Sequence, residues 1–162
     1  MPKTIVIDGL SQKNISKAIN EVRKYQRWVE DKENELRVRL ASVGATVASI
    51  QFRRAIYSGT NDVSVRVDDT GSVAVIYAEG EAVAFIEFGA GNTLGHGHPQ
   101  AGEFGMGPGT YPSDKGLWNN PKGWWYGHSQ HTYGNPPAMA MYQAVQAMTE
   151  KITTIAKEVF RA

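Results

Sequence analysis

The sequence predicts an α+β fold: a long N-terminal amphipathic helix, an antiparallel β-hairpin or small sheet, a long glycine- and aromatic-rich loop, and a C-terminal helix packed on the sheet. Three observations carry this prediction. Apolar residues recur with 4-3 spacing near both ends of the chain, strict alternation replaces that spacing from Val63 to Tyr77, and glycines crowd into one stretch that follows. At 162 residues and 41% hydrophobic content the chain supports one ordinary core. Residues 1–162 are therefore expected to form a single domain with a loop insertion at 89–135.

A short strand candidate at Thr4 to Ile7 precedes Ser11, which stands where an N-cap belongs. Beyond it, Ile15, Ile19, Val22, Val29, Leu36, Leu40, Val43, Val47 and Ile50 keep the 4-3 alternation, with Gln26 and Glu33 at the two interrupted positions. The central "VEDKENELRVRL" is so charged that it should project or pack along one narrow seam. Gly44 is the expected break, because glycine costs about 1 kcal/mol against alanine within a helix. The reading is two helices, or one long kinked one, ending near Tyr57.

The period then changes. In "DVSVRVDDTGSVAVIYAEG", Val63, Val65 and Val67 share a face opposite Ser64 and Arg66, and Val73, Val75 and Tyr77 continue the pattern beyond a turn at Asp68 to Gly71. Gly71 is expected to supply a positive φ to that turn. From Gly89 to Gly134 lie twelve of the seventeen glycines, all four histidines and three of the four tryptophans. A segment of this length without regular structure is functional or disordered, and its aromatics argue for burial, with a partner subunit as one candidate. Within it, "GWWYGHSQHTYG" could form a short hairpin. "NPPAMAMYQAVQAMTEKITTIAKEVFRA" closes the chain as a helix, with Pro136 and Pro137 suiting its entry and first turn and Met141, Val145, Met148, Ile152, Ile155 and Val159 as an apolar stripe expected to pack on the hairpin and the first helix.

A net charge of +1 conceals a bipolar chain. Residues 1–60 carry 11 basic against 6 acidic side chains, and residues 61–88 carry 1 against 6. Complementary ends of this kind orient copies head to tail, although solvation or pairing within one subunit would also absorb them. The basic excess is too modest and too spread along a helix for nucleic-acid binding by a strong patch. Without cysteine there is no disulfide framework, thiolate metal site or cysteine nucleophile. "MPKTIVIDGL" is too short in its apolar run for a signal peptide, and no stretch approaches the roughly 18 apolar residues of a membrane span. A protein of the cytoplasm, with no membrane partner, is expected.

The candidate chemistry lies around "AVAFIEFGAGNTLGHGHP". His96 and His98 form one pair two residues apart, and His128 and His131 another three apart; convergence of such pairs, with Glu87, Glu103 or Asp114 as a further ligand or base, would make a metal centre. The pairs lie about thirty residues apart without the helix of an H-E-x-x-H motif to preorganise them, so exposed or interface histidines are the favoured reading. No G-x-S-x-G elbow accompanies Ser129, and the glycine clusters lack the context and lysine of a phosphate loop. Glu87, flanked by apolar residues, calls for hydrogen-bond partners. Its expected role is structural, fixing the start of the loop.

The order of the parts resembles a known group. "YSGTNDVSV" leading into a hairpin, "AVAFIEFGAG", a loop holding "GTYP" and "GWWY", and "HTYGNPPAMAMYQAV" opening a final helix resemble the neck and tail-completion proteins of tailed bacteriophages, more specifically the minor-capsid or head-tail connector family of prophages in Gram-positive hosts. Glu87-Phe88-Gly89 and the run from Asn135 to Met141 carry the resemblance, which covers nearly the whole chain; the broader family often has threonine where Ala90 stands, and a shorter loop. The resemblance implies a non-enzymatic virion component with no cofactor. It would form a ring with copies of itself at the head-tail junction, bind other connector and tail proteins, and let DNA pass without sequence preference. Glu87, Phe88, Trp118, Trp124, Trp125, Tyr126 and Tyr133 are the candidate assembly residues. A small metal-dependent hydrolase and a monomeric assembly adaptor are the alternative readings.

Overall fold

Ser11 begins the first helix as its position suggests: its Oγ accepts a hydrogen bond from the Asn14 backbone N–H at 3.3 Å. The computed structural model describes residues 11–91, 93–106, 120–126 and 130–161. The strand candidate at Thr4 to Ile7, together with Trp118 and His128, lies outside them. In chain order the elements are α1 (Gln12–Arg54), β1 (Ser64–Asp68), β2 (Val75–Glu79), α2 (Val83–Phe88), β3 (Trp124–Tyr126), β4 (Gln130–Thr132) and α3 (Ala140–Arg161). The expected α+β class is the one observed.

Helix α1 runs unbroken through Gly44, which corrects the expected break. A Cβ at Gly44 would lie 2.6 Å from Ile76 Cδ1 and 2.7 Å from Met148 Sδ. Glycine is there because the sheet and α3 both close on the helix at this point, and their packing outweighs the propensity cost. The seam of α1 is formed by the buried Ala41, Gly44, Ala48 and Phe52, while Leu40, Val43 and Val47 flank it half-buried and Ile50 is exposed. Small residues on α3 match it: Ala140 and Ala144 are buried, as are Ile155 and Val159, whereas Val145 and Ile152 face solvent. The two helices run antiparallel, since Gly44 meets Met148 and, nearer the start of α1, Trp28 packs edge-on to Phe160. Of the two surfaces expected to receive it, the hairpin and the first helix, α3 packs chiefly along α1.

Strands β1 and β2 pair antiparallel, with Val65 opposite Ala78, Arg66 opposite Tyr77 and Asp68 opposite Val75. Directly opposed residues share a face, so Val65 and Val67 lie with Ile76 and Ala78, and it is these that turn toward α1. Val75 and Tyr77 occupy the outer face with Arg66, whose guanidinium sits 4.1 Å above the Tyr77 ring and 2.8 Å from Glu79 Oε1. The register also lengthens the connection to residues 69–74 and leaves Gly71 without the expected positive φ; Asp68 Oδ1 instead accepts from the Thr70 N–H and hydroxyl. An Asx-type turn does locally what a left-handed glycine was expected to do.

Asp62 ties this hairpin to the next element. Its carboxylate accepts from the backbone N–H groups of Glu81 at 2.7 Å and Ala82 at 3.0 Å, and these hydrogen bonds, from Ala82 first, hold its pKa below the ordinary aspartate value. A depressed folded-state pKa adds stability that is present above the unfolded-state value and is lost as pH falls through the folded one. Asp62→Asn should therefore be less stable than the native protein at neutral pH, with the gap closing in strong acid. Urea midpoints measured across the acid range check this; a gap that does not change with pH would refute it.

The core forms where the C-terminal end of α1, helix α2 and the start of α3 meet: Ala48, Phe52, Ala82, Ile86, Ala140 and Ala144 are its buried members. Among the described residues, no helix is long and apolar enough to cross a membrane.

Candidate functional site

The apolar segment before Gly89 folds as the short helix α2, which brings Glu87 against the beginning of α3. The helix-start residue before Ala140 is Met139, held at a φ of 53° and carrying no oxygen that could cap. Glu87 performs that role from another element. Its Oε2 accepts from the Met141 N–H at 2.9 Å and its Oε1 from the Tyr142 N–H at 3.1 Å, the two first-turn donors that an N-cap side chain ordinarily satisfies. Negative charge at a helix N-terminus also meets the favourable end of the helix dipole. The prolines at 136 and 137 lie before the first turn, on the approach to it.

His98 completes the arrangement. Its Nδ1 accepts from the Gln100 N–H at 3.1 Å, which leaves the proton on Nε2, and Nε2 donates to Glu87 Oε1 at 3.2 Å. The ring lies between Phe88, at 4.5 Å between centroids, and Tyr142, at 5.8 Å. Side-chain exposure is 2% for His98 and 6% for Glu87. A neutral imidazole thus donates to a carboxylate whose oxygens take three hydrogen bonds in all, which is how a buried charge is stabilised. The pair has the atoms of an acid–base couple, but neither side chain has a face open to a substrate.

The backbone interlocks in the opposite sense. The carbonyls of Phe85, Ile86 and Glu87, at the end of α2, accept from the Asn135 side-chain amide at 2.8 Å, the Ala138 N–H at 2.8 Å and the Met139 N–H at 3.2 Å. Helix α2 thereby has its C-terminus satisfied by the segment whose following helix it caps. Next to this, Ala90 and Asn135 exchange two backbone hydrogen bonds of 2.9 Å. The long excursion between Gly89 and Gly134 therefore leaves and returns at one point. Asn135, 2% exposed, and His98 are the residues that sequence reasoning missed as structural keys; the signal available was a polar side chain beside prolines with a helix to follow.

The remaining candidates are dispersed. "GWWYGHSQHTYG" does form a hairpin, with Trp124 opposite Thr132 and Trp125 opposite His131. Thr132 is buried and shares a 2.6 Å hydrogen bond with Ser58, and Gln130 donates to the Ser58 carbonyl, so the strand is fastened to the segment that follows α1. Trp124 is half-buried with its ring edge beside Gly91, Tyr126 ends β3, and Trp125 and Tyr133 stand 60% and 61% exposed with the His131 ring between them. Phe88 is half-buried and also meets Phe104. His96 is exposed, His98 is committed to Glu87 and His131 to its aromatic neighbours, and among the described residues no three His, Asp or Glu side chains are grouped to hold a metal ion. The arrangement locks two helices and the neck of a long loop to one another. Comparison of the chain with known protein families, curated proteins and solved structures finds no match.

Proposed function

We propose that this chain is a non-enzymatic structural component of a tailed-phage head-tail junction, assembling with copies of itself into a ring that joins the portal complex to the tail. One observation carries the reading: the two motifs behind the resemblance, Glu87-Phe88-Gly89 and Asn135 to Met141, meet in space and are bonded to each other through Glu87, whose carboxylate accepts from the Met141 N–H and whose carbonyl accepts from the Met139 N–H. Sequence marks that are far apart in the chain but physically one unit belong to a shared architecture, and this one holds a loop for contacts outside the subunit. Exposed aromatic residues on a fastened hairpin, Trp125 and Tyr133, are the side chains that anchor protein interfaces. The ring would bind connector proteins on one side and tail proteins on the other, and let DNA pass without reading it. Virion incorporation follows assembly in the host cytoplasm.

Deleting the gene from the phage genome is expected to yield DNA-filled heads and separate tails under the electron microscope, with infectivity restored by the protein supplied in trans. Joined, infectious particles from the deletion would overturn the reading.

A further inference from the structure

Among the described residues β1 pairs with β2 alone, so its other edge carries unpaired backbone donors and acceptors. A shallow groove runs between that edge and α1. Val67 and Asp69 form its sheet side, Val38, Ala45 and Ile50 lie on its α1 side with Arg53, and no residue of β2 lines it. Val38, Ile50 and Val67 expose apolar surface there. Asn61 donates to the Phe52 carbonyl, while Ile76, opposite Val67, meets Gly44, so β1 runs back along α1. Asp69 therefore marks the Val38 end of the groove and Arg53 the other end. These two are the charged side chains of the lining, and neither has an ionic partner among the described residues.

One segment of the chain matches this edge in pattern, length and charge. "KTIVID", Lys3 to Asp8, holds the strand candidate ahead of α1: four uncharged residues bounded by a cation and an anion. Laid antiparallel to β1 with Lys3 opposite Asp69, it sets Ile5 opposite Val67, Ile7 opposite Val65 and Asp8 opposite Ser64. Directly opposed residues share a face, so Ile5 and Ile7 join the valines that turn toward α1, and Val6 falls outside with Arg66. Lys3 then meets Asp69, and Asp8 comes to the Arg53 end; a parallel arrangement would bring like charges together at both ends. Six extended residues measure about 17 Å, the length from Ser64 to Asp69.

The edge of its own subunit is out of reach. By the helical rise Gln12 lies about 48 Å along α1 from Gly44, and the chain from Ile5 to Gln12 extends at most about 25 Å. We infer that Lys3 to Asp8 of one copy adds as an antiparallel strand to the β1 edge of the next copy. Main-chain hydrogen bonds hold it there, and Ile5 and Ile7 cover the groove's apolar border. Strand and edge are different surfaces of one chain, so the contact is head-to-tail and propagates, closing as a ring when the rotation permits. The inference rests on the ring reading above and names the surfaces that build it.

The test uses the full chain and its variants, each first verified as folded by circular dichroism. By sedimentation the native protein should form oligomers, and the double variant Ile5→Asp, Ile7→Asp should associate about 100-fold more weakly. Lys3→Asp and Asp69→Lys should each weaken association about 5-fold, and the two in one chain should restore it. Because the chain has no cysteine, Lys3→Cys mixed with Asp69→Cys and oxidised should give a covalent heterodimer, whereas Lys3→Cys mixed with Ser64→Cys should not. The inference is overturned if the native chain stays monomeric at its highest soluble concentration, as it would were the edge kept for another protein's strand, if the double aspartate variant assembles like the native protein, or if the charge exchange does not restore association. A Lys3→Cys link to Ser64→Cys in place of Asp69→Cys, or a disulfide closed within one chain carrying both substitutions, overturns it equally. Failure here together with unjoined heads and tails in the deletion phage would leave the junction role standing on other surfaces. Strand exchange here together with infectious deletion particles would remove that role and keep the surfaces.

Discussion

Glu87→Ala is expected to destabilise the protein by about 4 kcal/mol, the scale of leaving three donors without their acceptor at about 1–3 kcal/mol each. Three groups lose their acceptor at once: the Met141 N–H, the Tyr142 N–H and His98 Nε2. All three sit where water has little access, so each carries the desolvation cost of an unmade hydrogen bond. The first turn of α3 should fray, and the His98 Nε2–H, between Phe88 and Tyr142, should be left without its acceptor. Glu87→Gln keeps a single carbonyl oxygen and turns its amide toward donors, and should lose roughly half as much. Urea denaturation gives the ranking, and amide exchange at Met141 and Tyr142 localises it. Native-like stability and exchange in Glu87→Ala would show that the carboxylate is not what holds the two helices together.

Gly134→Ala is expected to cost about 3 kcal/mol through strained backbone and lost hydrogen bonds. Gly134 has a φ of 95°, and an added Cβ would fall 2.0 Å from the Ala90 carbonyl oxygen and 2.7 Å from its carbon. Neither atom can yield cheaply: both are backbone, and that oxygen accepts the Asn135 N–H that closes the neck of the loop. Relieving the contact means opening the Ala90–Asn135 exchange. Gly102→Ala is the control, since its Cβ would meet nothing within 4 Å at an ordinary φ; it should be neutral within experimental error. Equal thermal stability of the two variants would refute the account.

The features legible in the sequence are those whose cause is local. The Ser11 cap, the antiparallel pairing of the first hairpin and the antiparallel pairing of Trp124–Tyr126 with Gln130–Thr132 depend on neighbours a few residues away, and each is present, the first hairpin with a longer turn than the pattern places there. Faces were less legible. The hydropathic stripe emphasises Leu40, Val43, Val47 and Ile50, yet α3 approaches along Ala41, Gly44 and Ala48, because small side chains set how closely two helix backbones can come. In the hairpin, the register rather than the alternation decided that Ile76 and Ala78 turn inward in place of Val75 and Tyr77.

The same division holds for the site. From the sequence alone, Glu87 in an apolar setting had to have hydrogen-bond partners, since an unpaired buried carboxylate is too costly to keep. Which donors those are was a tertiary matter: Met141 and Tyr142 lie 54 and 55 residues away, and His98 joins only because the chain turns back over α2. Composition and period thus determined the elements, their order and the need to satisfy one buried charge. The packing of α1 against α3 decided which face of each was core, that Gly44 continues a helix instead of ending it, and that a carboxylate on one helix caps another; contacts between distant residues have no signature in any window shorter than the loop that separates them.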